Sequence, residues 1–297
     1  MRTQHLRLAL VALLIGSAAN IVSAQNAPNA DIETIVARLK KLGAKRLVEN
    51  GARASFSPDG KQIVYSKMPF GAGIVLRDLE SGKSTDLVGT GKDPAFSHGD
   101  QPLIAYVRGN SNEEEVWVVQ PDGKNDRKIA SGGFPTWSGD GETLFVHTRG
   151  RFGLMAIDFS ADDPQPVELK VTIPSWYPTV SPDGKTVAFM TGGALVFTNI
   201  EQPGYSVRPL GTFSKGGFPG WSPDGKQVAF GGFGYDDQGG LWVYEIETGK
   251  ARKIVGGPCT MPAWSKDGSK LVFDLRAPRD RHEVWMIETQ ALNRNKK

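Results

Sequence analysis

The stretch Ala54-Ser55-Phe56-Ser57-Pro58-Asp59-Gly60-Lys61-Gln62-Ile63-Val64-Tyr65-Ser66 decides the fold, because the chain keeps repeating it. Ala54 to Phe56 is a short run able to pair. Ser57-Pro58-Asp59-Gly60 is a turn with a mechanism. Pro58 pre-sets φ at the first central position, Asp59 suits the second, and Gly60 supplies the positive φ that follows. The expected product is a tight hairpin with a type I turn and a bulge. From Lys61 the chain reads as a strand, with Ile63 and Tyr65 on one face and Val64 on the other.

Five more copies follow: PAFSHGDQPLIAYV (94–107), PTWSGDGETLFVH (135–147), PTVSPDGKTVAFM (178–190), PGWSPDGKQVAFG (219–231) and PAWSKDGSKLVFD (262–274). The shared serine is Ser57, Ser97, Ser138, Ser181, Ser222 and Ser265, at gaps of 40, 41, 43, 41 and 43 residues. A third strand follows each copy, as in EVWVVQP and GLWVYEI, and a more polar fourth closes most units, as in ARKIVGG. A period of about forty residues built from short strands is the mark of a β-propeller blade. Apolar residues on both faces of the second strand suit a sheet sandwiched between neighbours. The sixth copy lacks a fourth strand, while KRLVENG (45–51) resembles RKIVGG (252–257) and also precedes a repeat. The expectation is therefore all-β: a six-bladed β-propeller over residues 45–289, its N-terminal strand closing the last blade, preceded by one short helix.

Residues 1–24 read as a secretory signal. Arg2 and Arg7 give the positive start, residues 8–15 the apolar core, and Val22-Ser23-Ala24 the cleavage site. The apolar run is too short to span a bilayer. A periplasmic or secreted protein with no transmembrane segment after cleavage is expected. In the linker 25–44, Ile32, Ile35, Val36, Leu39 and Leu42 fall at helical spacing. So short a helix is marginal alone and should dock on the ring. Residues 290–297 read as a C-terminal tail.

The chain carries a formal charge of +3; without the leader's two basic residues, 33 basic side chains face 32 acidic ones. That balance gives no bulk case for nucleic acid or anionic membrane. The lone Cys259 forms no internal disulfide, and a monomer is expected.

The S-P-D-G-K phrase, with an aromatic before the serine and an apolar-aromatic strand after it, resembles the repeat of TolB-like propellers. Val180 replaces the aromatic in the fourth copy, and Ser97-His98-Gly99-Asp100 reorders the turn in the second. The resemblance implies an exported six-bladed ring in the Tol–Pal envelope system. It would bind a peptidoglycan-associated lipoprotein and catalyse nothing. TolB carries an α/β domain before its ring, for which residues 25–44 leave no room.

No G-x-S-x-G nucleophile motif occurs, and no catalytic or metal residue is assigned. His98, His147 and His282 sit at different places in their repeats and should not converge on one ion. Asp236-Asp237, two adjacent carboxylates, have oxygens to offer calcium; no other cofactor is expected. Propeller function usually sits on loops at one end, and the loops opposite the stereotyped turns vary most. Their aromatics and arginines are types favoured in binding hot spots. The candidate partner face is Arg108, Glu114, Arg149, Arg151, Trp176, Tyr177, Tyr235, Asp236, Asp237, Arg279, Arg281 and His282. Its arginines suit carboxylates, and Glu113, Glu114 and Glu115 form an opposing acidic patch. A non-catalytic protein- or peptide-binding platform is the leading function. The alternatives are a propeller enzyme (a metal-assisted lactonase, lyase or hydrolase) and a sensor stacking a glycan or small molecule on Trp176, Tyr177 or Tyr235.

Overall fold

The computed structural model describes residues 29–110, 113–148, 152–175, 177–209, 217–232, 239–279 and 281–293. It is nearly all β, in small antiparallel sheets. Helix α1 (Asn29–Lys41) leads into β1 (Lys45–Glu49). The first sheet is β2 (Gly51–Phe56), β3 (Gln62–Lys67), β4 (Ile74–Asp78) and β5 (Ser84–Val88). The second is β6 (Lys92–Phe96), β7 (Ile104–Arg108), β8 (Glu115–Val119) and β9 (Arg127–Ser131). The third is β10 (Gly133–Trp137), β11 (Thr143–Thr148), β12 (Gly153–Asp158) and β13 (Pro166–Leu169). The fourth is β14 (Thr179–Val180), β15 (Thr186–Thr191), β16 (Ala194–Asn199) and β17 (Tyr205–Pro209). An eight-stranded sheet holds the rest: β18 (Gly217–Trp221), β19 (Gln227–Gly232), β20 (Gly240–Glu245), β21 (Lys250–Val255), β22 (Cys259–Trp264), β23 (Lys270–Ala277), β24 (Arg281–Glu288) and β1. Its two halves meet at one pair, Gly232 and Cys259.

Each repeated serine organises its hairpin from inside. The Ser57 hydroxyl donates to Asp59 Oδ1 at 2.6 Å and accepts from the Gln62 N–H at 2.9 Å, while Gly60 takes φ +65° and donates to the Ser57 carbonyl. Ser138, Ser181, Ser222 and Ser265 repeat both hydroxyl contacts. Ser97 accepts from Leu103 N–H, one residue later, because its turn carries an extra residue. All six serines are buried, so the phrase is a structural staple.

Hydrophobic cores lie between consecutive sheets. Val64 and Ile74 meet Phe96 and Tyr106; Val107 and Val116 meet Trp137 and Leu144; Phe145 and Leu154 meet Val180 and Phe189. Met190 and Leu195 meet Phe230, and Ala229 and Leu241 meet Phe273. Val272 and Val284 meet Phe56 and Ile63, joining last sheet to first. The first strands touch in order: β2 on β6, β6 on β10, β10 on β14, β14 on β18, β18 on β22, and β22 on β2. β1 pairs antiparallel with β24, Glu49 opposite Glu283. Helix α1 covers the seam at the chain's two ends, burying Ile35 and Leu39 in one cluster with Val255 and Leu292. Thr289–Asn293 forms a short second helix, α2.

Candidate functional site

Four residues before each repeated serine stands a residue that reaches the middle of the molecule: Arg53, Asp93, Phe134, Tyr177, Phe218 and Met261. An extra residue in β2, β6, β10, β18 and β22 puts it there, shifting register between Ala52 and Ser55 and at the matching places. At these bulges Arg53, Asp93, Phe134, Phe218 and Met261 take φ of 56°, 56°, 50°, 65° and 52°. L-residues rarely hold that conformation; it persists where surrounding structure enforces it, often at ligand sites.

These side chains form a waist between two cavities. The first, of about 370 Å³, opens at the hairpin-turn end, where His98, Gly139, Pro182, Pro223 and Lys266 make the rim. Pro94, Pro135, Pro178, Pro219 and Pro262 stiffen its wall. At the floor Tyr177 sits edge-on between Phe134 and Phe218, ring centroids 4.3 and 4.2 Å away. The second, of about 230 Å³, lies across the waist and is lined by Phe70, Thr260, Asp274, Arg276 and His282 with Arg53, Tyr177, Phe218 and Met261. A groove of about 720 Å³ between the fourth and fifth sheets shares Gly139, Pro182, Trp221 and Pro223 with the first cavity, hereafter the funnel.

Charge is concentrated on one side of the waist. The partly buried Arg53 guanidinium pairs with Asp93 and lies 4.3 Å from the Phe70 ring centroid. Burial pulls its pKa below the usual arginine value. The Asp93 N–H donates to the Ser66 hydroxyl at 3.0 Å. Asp274 is fully buried, and burial pushes its carboxyl up to about 8. Burial, then the nearby Lys266, pushes His98 down.

Of the expected partner-face residues, Tyr177 and His282 are brought together on the smaller cavity, His282 edge-on to Phe70. Arg279 and Arg281 are exposed beside it in sequence. Arg108 is drawn onto its own sheet, pairing with Asp126 and lying 4.1 Å from the Trp117 ring centroid. The acidic patch does not form as expected: Glu114 is buried against Lys92 at 2.6 Å, and Glu115 pairs with Lys128. Lys92 reaches Glu114 from β6, across β7, and draws one member of the run inward. Arg149, Arg151, Trp176, Tyr235, Asp236 and Asp237 lie outside the described residues. Among the described residues no group of three His, Cys, Asp or Glu is placed to hold a metal, and no helix is long and apolar enough to cross a membrane. Sequence reasoning missed Arg53, Asp93, Phe134, Phe218 and Met261; aligning the repeats on the serine puts them in one column.

No protein-family profile and no curated protein matches this chain. Solved structures do. TolB from Acinetobacter baumannii is 18% identical with a TM-score of 0.57, over 73% of this chain and 57% of TolB. Oligogalacturonate lyase from Vibrio parahaemolyticus is 13% identical with a TM-score of 0.55, over 83% and 93%. The Dos1 propeller is 13% identical with a TM-score of 0.51, over 79% and 67%. At such identities the likeness shows a β-propeller fold, and this chain spans little more than half of TolB's length.

Proposed function

We propose that this chain is an exported, non-catalytic β-propeller that holds a protein or peptide partner in its central funnel. The cyclic contacts of the first strands support six blades, the eight-stranded sheet counting as two. The β1–β24 ladder supports closure by the N-terminal strand. The leader supports a periplasmic or secreted address. The observation that carries the function is the funnel. Every repeat contributes to a pre-formed cavity of about 370 Å³ with proline walls and an aromatic floor, in the size range of ligand sites. Such a seat can hold an inserted segment without reacting with it. The TolB-like repeats point to an envelope lipoprotein as the partner. Arg279 and Arg281 offer a second contact at the opposite end.

One observation favours an enzyme instead. Asp274, with a carboxyl near 8, shares the smaller cavity with Arg53, Arg276 and His282; a carboxyl titrating near neutrality suits proton transfer. The test is a crosslinking pull-down from the envelope fraction with residues 25–297 as bait. A funnel variant, Phe218→Ala, and a face variant, Arg279→Ala with Arg281→Ala, run beside it, with melting curves as folding controls. One envelope protein should be enriched by the wild type and the face variant and lost from the funnel variant. Loss from the face variant alone moves the seat to the loops. No enrichment, with turnover of a uronate oligomer that Asp274→Asn abolishes, replaces the platform with the enzyme.

A further inference from the structure

Among the described residues, two buried polar atoms at the funnel floor make no hydrogen bond. Asp93 is 8% exposed and lines the funnel. Its Oδ1 meets the Arg53 guanidinium, but Oδ2 has no hydrogen-bond partner among the described residues. Arg53 Nε–H, on the other half of the same pair, also has none. One ion pair thus carries an unpaired acceptor and an unpaired donor at the funnel floor. Buried groups left so are costly, and a ligand supplying both partners removes that cost.

Charge selects among ligands. Asp93 is already neutralised by Arg53, and Lys92 by Glu114 at 2.6 Å. Lys266 stands on the rim, its Nζ donating to the His98 carbonyl at 2.6 Å. Across the waist the Asp274 carboxyl, at about 8, is mostly uncharged at neutral pH. Among the described residues an ammonium or guanidinium entering the funnel would find Asp93 already compensated, and a carboxylate would face Asp93 Oδ2. A carboxamide carries no net charge, donates through N–H and accepts through its carbonyl. Phe134, Tyr177 and Phe218 beside it suit the apolar stem of a side chain.

We infer that the funnel floor receives the carboxamide of a glutamine or asparagine at the tip of a partner segment, N–H to Asp93 Oδ2 and carbonyl to Arg53 Nε–H. This rests on the platform function proposed above and names the group that the platform reads.

Random heptapeptides are selected on residues 25–297, and the tightest binders are resynthesised with single changes. Binding is read by calorimetry and by tryptophan fluorescence, since Trp137, Trp221 and Trp264 line the funnel. Selected peptides should share a Gln or Asn, and its change to Leu, Lys or Glu should weaken binding about tenfold or more. Phe218→Ala should weaken the Gln and Leu peptides alike, whereas Asp93→Leu should erase the difference between them. The peptide series alone decides if Asp93→Leu does not fold. Equal binding of Gln and Leu peptides, or a shared Lys or Arg, overturns the carboxamide and leaves the platform standing. No peptide binder, with an envelope partner still captured, also overturns only the carboxamide. No peptide and no captured partner overturns both.

Discussion

The backbone N–H of Arg53 donates to both carboxyl oxygens of Asp274, at 2.9 and 3.0 Å, across 221 residues of chain. The bond joins β2 to β23, so the first repeat is fastened to the last at the strained bulge that aims Arg53 inward.

That carboxyl predicts a pH dependence. Its folded pKa is about 8 against an ordinary 3.8, because burial outweighs the Arg53 N–H and charge. A raised folded pKa contributes stability that is full below about 4 and lost as pH rises through about 8. The loss has a limiting slope of about 1.4 kcal/mol per pH unit. Asp274→Asn cannot ionise, so its stability should fall less between about pH 5 and pH 8. Urea unfolding at both values checks this; parallel declines would mean that Asp274 ionises freely in the fold.

Three tryptophans occupy one repeat position with different bonding. Trp137 Nε1–H donates to the Ala95 carbonyl and Trp264 Nε1–H to that of Gly220, each at 3.1 Å, stapling the first strand of one repeat to that of the repeat before. Trp221 Nε1 makes no such bond among the described residues and lies beside the groove between the fourth and fifth sheets. Trp137→Phe and Trp264→Phe should each lose about 1 kcal/mol more stability than Trp221→Phe. Equal losses by chemical denaturation would show that this seam is stapled like the others.

The hairpin serine links stability to acid. The Ser265 hydroxyl, then Ser269, holds the Asp267 carboxyl down to about 2. A lowered folded pKa contributes stability that is present above about 4 and lost as pH falls through about 2. Ser265→Ala leaves the Lys270 N–H without its acceptor and should cost about 1–3 kcal/mol near neutrality. The gap to wild type should narrow towards about pH 2 as Asp267 protonates. A gap constant with pH would assign the whole cost to the N–H.

Arg53 and Asp93 should behave as a unit. Removing one partner of a buried pair strands the other, at a cost of about 3–5 kcal/mol, whereas an apolar replacement of both can be nearly neutral. Asp93→Leu should therefore destabilise more than Arg53→Met with Asp93→Leu. Additive losses in a double-mutant cycle would deny the coupling.

Ser57, Asp59 and Gly60 are legible from sequence because each serves its own hairpin, and the repeat shows the service five times, with a reordered turn in the second copy. Ile35 and Leu39 are legible because helical spacing exposes a face that needs cover. The waist is not. Phe134 and Phe218 precede prolines, a context that reads as extended; the bulge turns them to positive φ, and only the assembled sheets enforce it. Glu114 reads as solvated within an acidic run because Lys92 arrives from a different strand. The repeat column containing Arg53 and Asp93 is visible in an alignment of the copies, but residue type alone does not say that it faces a channel.

The ladder between Lys45–Glu49 and Arg281–Glu288 also sets a condition on synthesis. The first strand waits for a partner made long after it, 237 residues on at Arg46 and Glu283, although chains otherwise fold from the N-terminus as they emerge. A chain stopped short of β24 leaves β1 unpaired and the outer edge of β23 bare, and Ile35 and Leu39 lose the Leu292 side of their cluster. Copies that stop before β24 thus advertise themselves to proteases through β1, which the ladder with β24 conceals.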